Sequence, residues 1–97
     1  MNYLIILRPT RVGMVKEGPT EREAAIVGEH FEYLQAHARA GKVRLAGRTT
    51  ENDERTIGLV LLAVASEEEA RALMLADPAV AHGVMRAELY PFRLAIS

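Results

Sequence analysis

Thr56-Ile57-Gly58-Leu59-Val60-Leu61-Leu62-Ala63-Val64 is the stretch on which the fold turns. It carries no charge, is rich in β-branched and aliphatic side chains, and continues to Ala65 before polar residues resume. An apolar run of this length reads as a strand, here Ile57 to Ala65. Along it, Ile57, Leu59, Leu61 and Ala63 alternate with Gly58, Val60, Leu62 and Val64, so both sides are apolar. An antiparallel strand wet on one side would instead alternate with polar residues. Both faces of this strand are therefore expected to be covered.

Working outward, Thr50 to Arg55 is a polar turn and Val43 to Thr49 a second strand. Upstream lies a long helix. Thr20-Glu21-Arg22-Glu23 has the form of a capping box, in which hydroxyl and carboxylate satisfy orphan amides at a helix start. Ala24, Val27, Phe31, Leu34 and Ala38 then make one apolar stripe, and Gly41 supplies a left-handed stop, so residues 20 to 40 read as one helix. Gly28 interrupts it at about 1 kcal/mol relative to alanine, which is read as a point of close packing. Before the helix, Arg11 to Pro19 has no period and reads as a loop, and Tyr3 to Leu7 is a strand stopped by Arg8-Pro9. On the other side, Ser66-Glu67-Glu68-Glu69 opens a second helix whose face is Ala70, Leu73 and Met74. Asp77-Pro78 ends it, because the residue before proline is pushed out of the helical region. Val84 to Phe92 is the fourth strand, with Pro91 favouring a sheet edge.

The order βαββαβ predicts an α+β, ferredoxin-like fold with a four-stranded antiparallel sheet and both helices on one face. Two helices cover only one face. The other is expected to be buried against a second copy, as a two-fold homodimer.

Composition narrows the function. Ninety-seven residues suit one domain, taken as 1–97, and 49% apolar with 26% charged residues suits a folded chain. A formal net charge of −1 gives no field to draw the chain to nucleic acid or an anionic membrane. No apolar run reaches the length of a membrane span, and the chain contains no cysteine for a disulfide, thiolate metal site or thiol nucleophile. The expectation is a cytoplasmic protein. An RNA-recognition motif shares the element order but needs stacking aromatics on the third strand, and this strand has none.

Three histidines are available for chemistry: His30, His37 and His82. By helical angle His30 lies about 60–70° and His37 about 90–100° from the centre of the apolar stripe. That makes His30 the border residue, either a half-buried histidine bonded to a backbone carbonyl or a general acid/base at a cleft. His30 and His37 are separated by about 10.5 Å along the axis, too far to share a metal ion, and no other ligand spacing occurs. No metal or cofactor is expected, and no glycine-rich phosphate loop is present. Asp77 is out of place at a helix C-terminus, where an anion meets the negative end of the dipole. It is either a turn aspartate bonding local amides or the carboxylate that orients His30. Arg8, Arg44 and Arg48 are possible anion binders near a sheet end, or else surface charges paired with Glu88 and others.

Five pieces of the chain also carry a family resemblance: Asn2-Tyr3-Leu4-Ile5-Ile6-Leu7, His30-Phe31-Glu32-Tyr33-Leu34, Gly41-Lys42-Val43 leading to Ala46-Gly47, Ser66-Glu67-Glu68-Glu69-Ala70, and Asp77-Pro78. Together, over nearly the whole length, they resemble the YCII-related (YciI-like) proteins. That resemblance implies a dimeric α+β barrel in which two sheets pack face to face, with His30 and Asp77 as the active-site pair. It also implies a small cofactor-independent enzyme, a lyase or isomerase acting on a small polar or aromatic organic molecule. The alternative is a non-catalytic ligand-binding or accessory dimerisation module. Gly47-Arg48 departs from the Gly-Pro of many members, which puts an extra cation at a pocket wall. The expected ligand contacts are accordingly Arg8, Gly47 and Arg48.

Overall fold

The apolar third strand is an interior strand. In a computed structural model describing Met1–Ser97, β3 (Gly58–Ala63) lies between β2 (Val43–Arg48) and β1 (Asn2–Pro9), and β4 (Met85–Phe92) closes the other edge. The sheet order is β2-β3-β1-β4 with every neighbouring pair antiparallel, the arrangement of a ferredoxin-like α+β fold. Pro91 lies on an edge strand, as its missing amide requires.

Helices pack on one face. Tyr3 and Ile5 of β1, opposite Leu62 and Val60 of β3, point into a core shared with Leu7, Val43, Val64, Ala70 and Met74. The alternate positions Leu4, Ile6, Leu59 and Leu61 point the other way, flanked by Leu45 on β2 and Tyr90 on β4. Leu45 and Tyr90 are 55% and 43% exposed. Leu4, Ile6 and Leu59 are half-buried and Leu61 is buried, so this chain by itself leaves an apolar sheet face that no helix covers and that is open to solvent mainly at Leu45 and Tyr90. No helix is long and apolar enough to cross a membrane.

Four helices form where two were expected. α2 (Glu21–Arg39) and α3 (Glu67–Ala76) are the long ones, and both begin as their sequences demand. Thr20 and Glu23 make the reciprocal capping box, and the Ser66 hydroxyl accepts from Glu69 N–H. Gly41, at φ +81°, ends α2 in a Schellman motif, with Lys42 N–H bonded to the His37 carbonyl and Gly41 N–H to that of Ala38. The two additions are single turns. α1 (Gly13–Lys16) interrupts the segment expected to be loop, and α4 (Pro78–Ala81) starts immediately after α3. Asp77-Pro78 stops one helix and opens the next, because proline's fixed φ and missing N–H suit a first helical position.

The largest departure concerns the orientation of α2. Its buried residues are Glu23, Ile26 and His30, with Val27, Tyr33, Leu34 and His37 half-buried. At 100° per residue the centre of that stripe is His30, about 60–70° away from the centre of the expected stripe. Ala24, Phe31 and Ala38 are exposed. Nor does Gly28 mark close packing, since a Cβ built there would meet nothing within 4 Å.

Candidate active site

His30 therefore lies at the middle of the buried face of α2, and what it meets there is Asp77. Nδ1 is 2.8 Å from both carboxylate oxygens, and the two side chains are 8% and 6% exposed. Asp77 is held by its own backbone context. It is the N-cap of α4, and Oδ1 accepts from Ala79 N–H at 2.9 Å. The awkward anion at the end of α3 is thus offset by the amide it caps and the imidazole it faces.

Both helices that flank Asp77 are tied to α2. The Tyr33 hydroxyl donates to the Leu73 carbonyl near the end of α3 at 2.7 Å, and Arg22 Nη2 donates to the His82 carbonyl just after α4 at 3.0 Å. Burial, and then the charge of Asp77, push the Tyr33 hydroxyl above its ordinary value. A carboxylate oxygen accepts, so Nδ1 is the ring nitrogen that donates to Asp77, and Nε2 is the one left for another partner. Nε2 makes no hydrogen bond, and the only sealed side-chain nitrogen or oxygen without a partner anywhere in the chain is Glu51 Oε1.

Nε2 has somewhere to act. His30 lines a cavity of about 710 Å³ between α2 and β2, whose wall includes Val27, Gly28, Phe31, Leu45, Gly47 and Arg48. The exposed residues of α2 named above, Ala24, Phe31 and Ala38, are its helix-side wall. Asp77 stands behind the imidazole and instead borders a space of about 10 Å³ shared with Tyr33 and His37. The arrangement suits proton transfer, with one nitrogen oriented by a buried carboxylate, the other unbonded, and the residue itself in the wall of a mostly apolar cleft. No three His, Asp or Glu side chains gather where they would hold a metal ion.

The remaining sequence candidates divide. Gly47 and Arg48 belong to the cavity wall. Arg8 does not join them. Its neighbour Leu7 faces the helices, so strand alternation sends Arg8 to the bare face, where Nε donates to Glu88 Oε1 at 3.1 Å. Tyr90 donates to the other Glu88 oxygen at 2.6 Å. The Tyr90 bond, followed by Arg8, draws the Glu88 carboxyl below its usual range. Arg8 is thus the paired surface charge of the two readings open to it. Arg44, named only as a possible anion binder, lines the cavity at a β-bulge between Val43 and Leu45 that no sequence pattern announced.

Comparison with known proteins agrees with this geometry at the level of fold. The structure resembles that of 5-chloro-2-hydroxyhydroquinone dehydrochlorinase (TftG) from Burkholderia phenoliruptrix AC1100, solved in complex with 2,5-dihydroxybenzoquinone. The TM-score is 0.67 at 20% sequence identity, over 96% of this chain and 94% of that one. No curated protein matches by sequence. The model of the YCII-related domain matches residues 1–93, which is nearly the entire length over which the sequence motifs, the βαββαβ order and the sheet are found. The chain belongs to the YCII-related domain family.

Proposed function

We propose that this protein is a cofactor-independent enzyme in which His30 moves a proton on a small organic molecule bound between α2 and β2, and Asp77 orients His30. The observation that carries the reading is the pair itself: a carboxylate with 6% side-chain exposure fixes Nδ1 at 2.8 Å while Nε2 is left for the cavity. In an elimination, Nε2 takes a proton from the substrate. The electron pair left behind forms a double bond as the leaving group departs with its own bonding pair, and the imidazolium returns the proton to water. In an isomerisation the same proton goes back to a different atom. Neither step needs an electron donor or acceptor. Asp77 serves both by stabilising the imidazolium while it exists.

The dehydrochlorinase of similar fold makes loss of hydrogen chloride from chlorinated hydroquinones the first reaction to assay. The working unit in this reading is a homodimer that buries the uncovered face around Leu4, Ile6, Leu45, Leu59 and Tyr90, since a contiguous apolar sheet surface is costly to leave in water.

His30→Asn is the decisive variant. The amide nitrogen of asparagine reaches about where Nδ1 lies, so Asp77 keeps a partner while Nε2 is lost. Chloride release is expected to fall by about 10²-fold or more with the fold intact by circular dichroism. Turnover equal to wild type removes His30 from the chemistry. Saturable binding of 2,5-dihydroxybenzoquinone with no conversion of any substrate tested identifies a ligand-binding module instead.

A further inference from the structure

The charge of the cavity identifies what it holds. His30, Arg44 and Arg48 are the ionisable side chains in its wall, and no aspartate or glutamate lines it. The chain as a whole carries −1, so the cavity reverses the sign of the molecule. Of the eight arginines elsewhere in the chain, Arg8, Arg11, Arg55 and Arg71 each sit on a carboxylate, whereas neither cavity arginine does.

Arg48 is held in place by uncharged groups. It pairs with Gly58, which pairs with the buried Leu7, so it sits on the helix side of the sheet. Its Nε donates to the Thr49 carbonyl at 2.9 Å, and Nη2 donates to the Glu51 carbonyl at 3.0 Å and to Asn52 Oδ1 at 2.8 Å. Those three acceptors are uncharged. They hold the guanidinium in place without cancelling its charge, and both N–H groups of Nη1 stay unbonded. Arg44, at the bulge, forms neither a side-chain hydrogen bond nor an ion pair. Bulges commonly re-aim a side chain toward a site.

The level of Arg48 along the cleft also fits. α2 and β2 run in opposite directions from the turn at Gly41. Nine residues of helix put His30 about 13 Å from the end of α2, and five residues of strand put Arg48 about 16 Å from the start of β2. A charged group at Arg48 therefore leaves the rest of a small ligand beside His30. Phe31, 59% exposed, and Ala46, which pairs with the core residue Val60 and so faces the helices, are the apolar surfaces available to its body.

We infer that the substrate is an organic oxyanion, a carboxylate or phenolate, whose charged oxygen docks on Arg48, with Arg44 as a second cation along β2 and the apolar body against Phe31 and Ala46. The inference rests on the acid/base reading above and adds the substrate class. Arginine suits the role because its planar fork meets a pair of oxygens with two donors.

Isothermal titration with two probes tests it. The hydroxyls of 2,5-dihydroxybenzoquinone are vinylogous carboxylic acids, ionised at neutral pH, and hydroquinone is the uncharged comparison. Wild type is expected to bind the dianion at least about tenfold more tightly than hydroquinone, and Arg48→Gln to lose about tenfold for the dianion alone. Arg48→Lys should recover part of that loss. Arg44→Gln/Arg48→Gln should also remove the weakening that wild type shows between about 0.05 M and 0.5 M NaCl. Where a variant melts early, the salt dependence of wild type still decides the matter. Equal affinity for the two probes, no binding of the dianion, or wild-type affinity in the double variant overturns the inference. Conversion of uncharged substrates through His30 alongside any of those results leaves the acid/base reading standing. Arginine-dependent binding without turnover of anything has the opposite meaning.

Discussion

Replacing Asp77 with alanine removes two interactions whose combined cost follows from the structure. Oδ1 caps α4 through Ala79 N–H at 2.9 Å, and the carboxylate accepts from His30 Nδ1 at 2.8 Å. Loss of the cap costs about 1 kcal/mol. A buried Nδ1–H left without an acceptor costs about 1–3 kcal/mol more. The expected total is about 2–4 kcal/mol, or a fall in Tm of about 10–30 °C at the sensitivity of a domain of this size. Asp77→Asn keeps an oxygen for the cap and a polar group facing the imidazole, so it should cost no more than about 1 kcal/mol. Thermal and urea unfolding followed by circular dichroism, at one protein concentration, measure both. Completing the cycle with His30→Ala and the double variant should give a coupling of at least about 0.5 kcal/mol, because removing both partners leaves no orphan. If Asp77→Ala melts within about 5 °C of wild type, or the two substitutions simply add, then the pair is not a buried, mutually satisfied unit and the site has been misassigned.

Acid should weaken the start of α2. Bonds from Arg11, and then from the Thr20 backbone, draw the Glu23 carboxyl from 4.5 to about 2, so its stabilisation is fully present above 4.5 and is lost as pH falls toward 2. Glu23→Gln should flatten the fall in urea midpoint across that window, and parallel curves for the two proteins would exclude the mechanism. On the bare sheet face, Ile6→Glu sets a second carboxylate opposite Glu88. Wild type is expected to sediment as a dimer at micromolar concentration and the variant as a monomer with an unchanged far-ultraviolet spectrum; a monomeric wild type ends the dimer proposal. Gly28→Ala, in a helix interior with open space at the Cβ, should raise stability by about 0.5–1 kcal/mol. A lower Tm would mean that the α2 backbone needs glycine there.

Much of the fold was legible because it is written in short-range signals. The capping box at Thr20, the serine cap at Ser66, the stop at Gly41 and the apolar run of β3 act over a few residues, and each formed where its pattern stood, save that the Glu69 carboxylate accepts from Ala65 N–H and leaves the box at Ser66 half made. One-turn helices were not legible. α1 and α4 are too short to show a period, and α4 exists because Asp77-Pro78 both ends α3 and begins the next turn. The angle of α2 misled for a different reason. Its apolar stripe is real, but Ala24, Phe31 and Ala38 line a cavity and only Val27 and Leu34 also pack against the core. A hydrophobic period reports which side of a helix avoids charge, and an apolar binding cleft gives the same pattern as an apolar core.

Sequence by itself determined the order of the elements and the apolar character of both sheet faces, and resemblance pointed to His30 and Asp77 as a pair. Tertiary structure alone decided which sheet face the helices cover. Leu4 and Ile6 are as apolar as Tyr3 and Ile5, so alternation could not say whether Arg8 would face the cavity or the bare side. It also decided that His30 is the centre of the buried face of α2 and not its border. Forty-seven positions separate His30 from Asp77, and no local pattern spans that interval. The 2.8 Å contact between them exists because α2, α3 and α4 pack on the same side of one sheet, which only the folded chain can arrange.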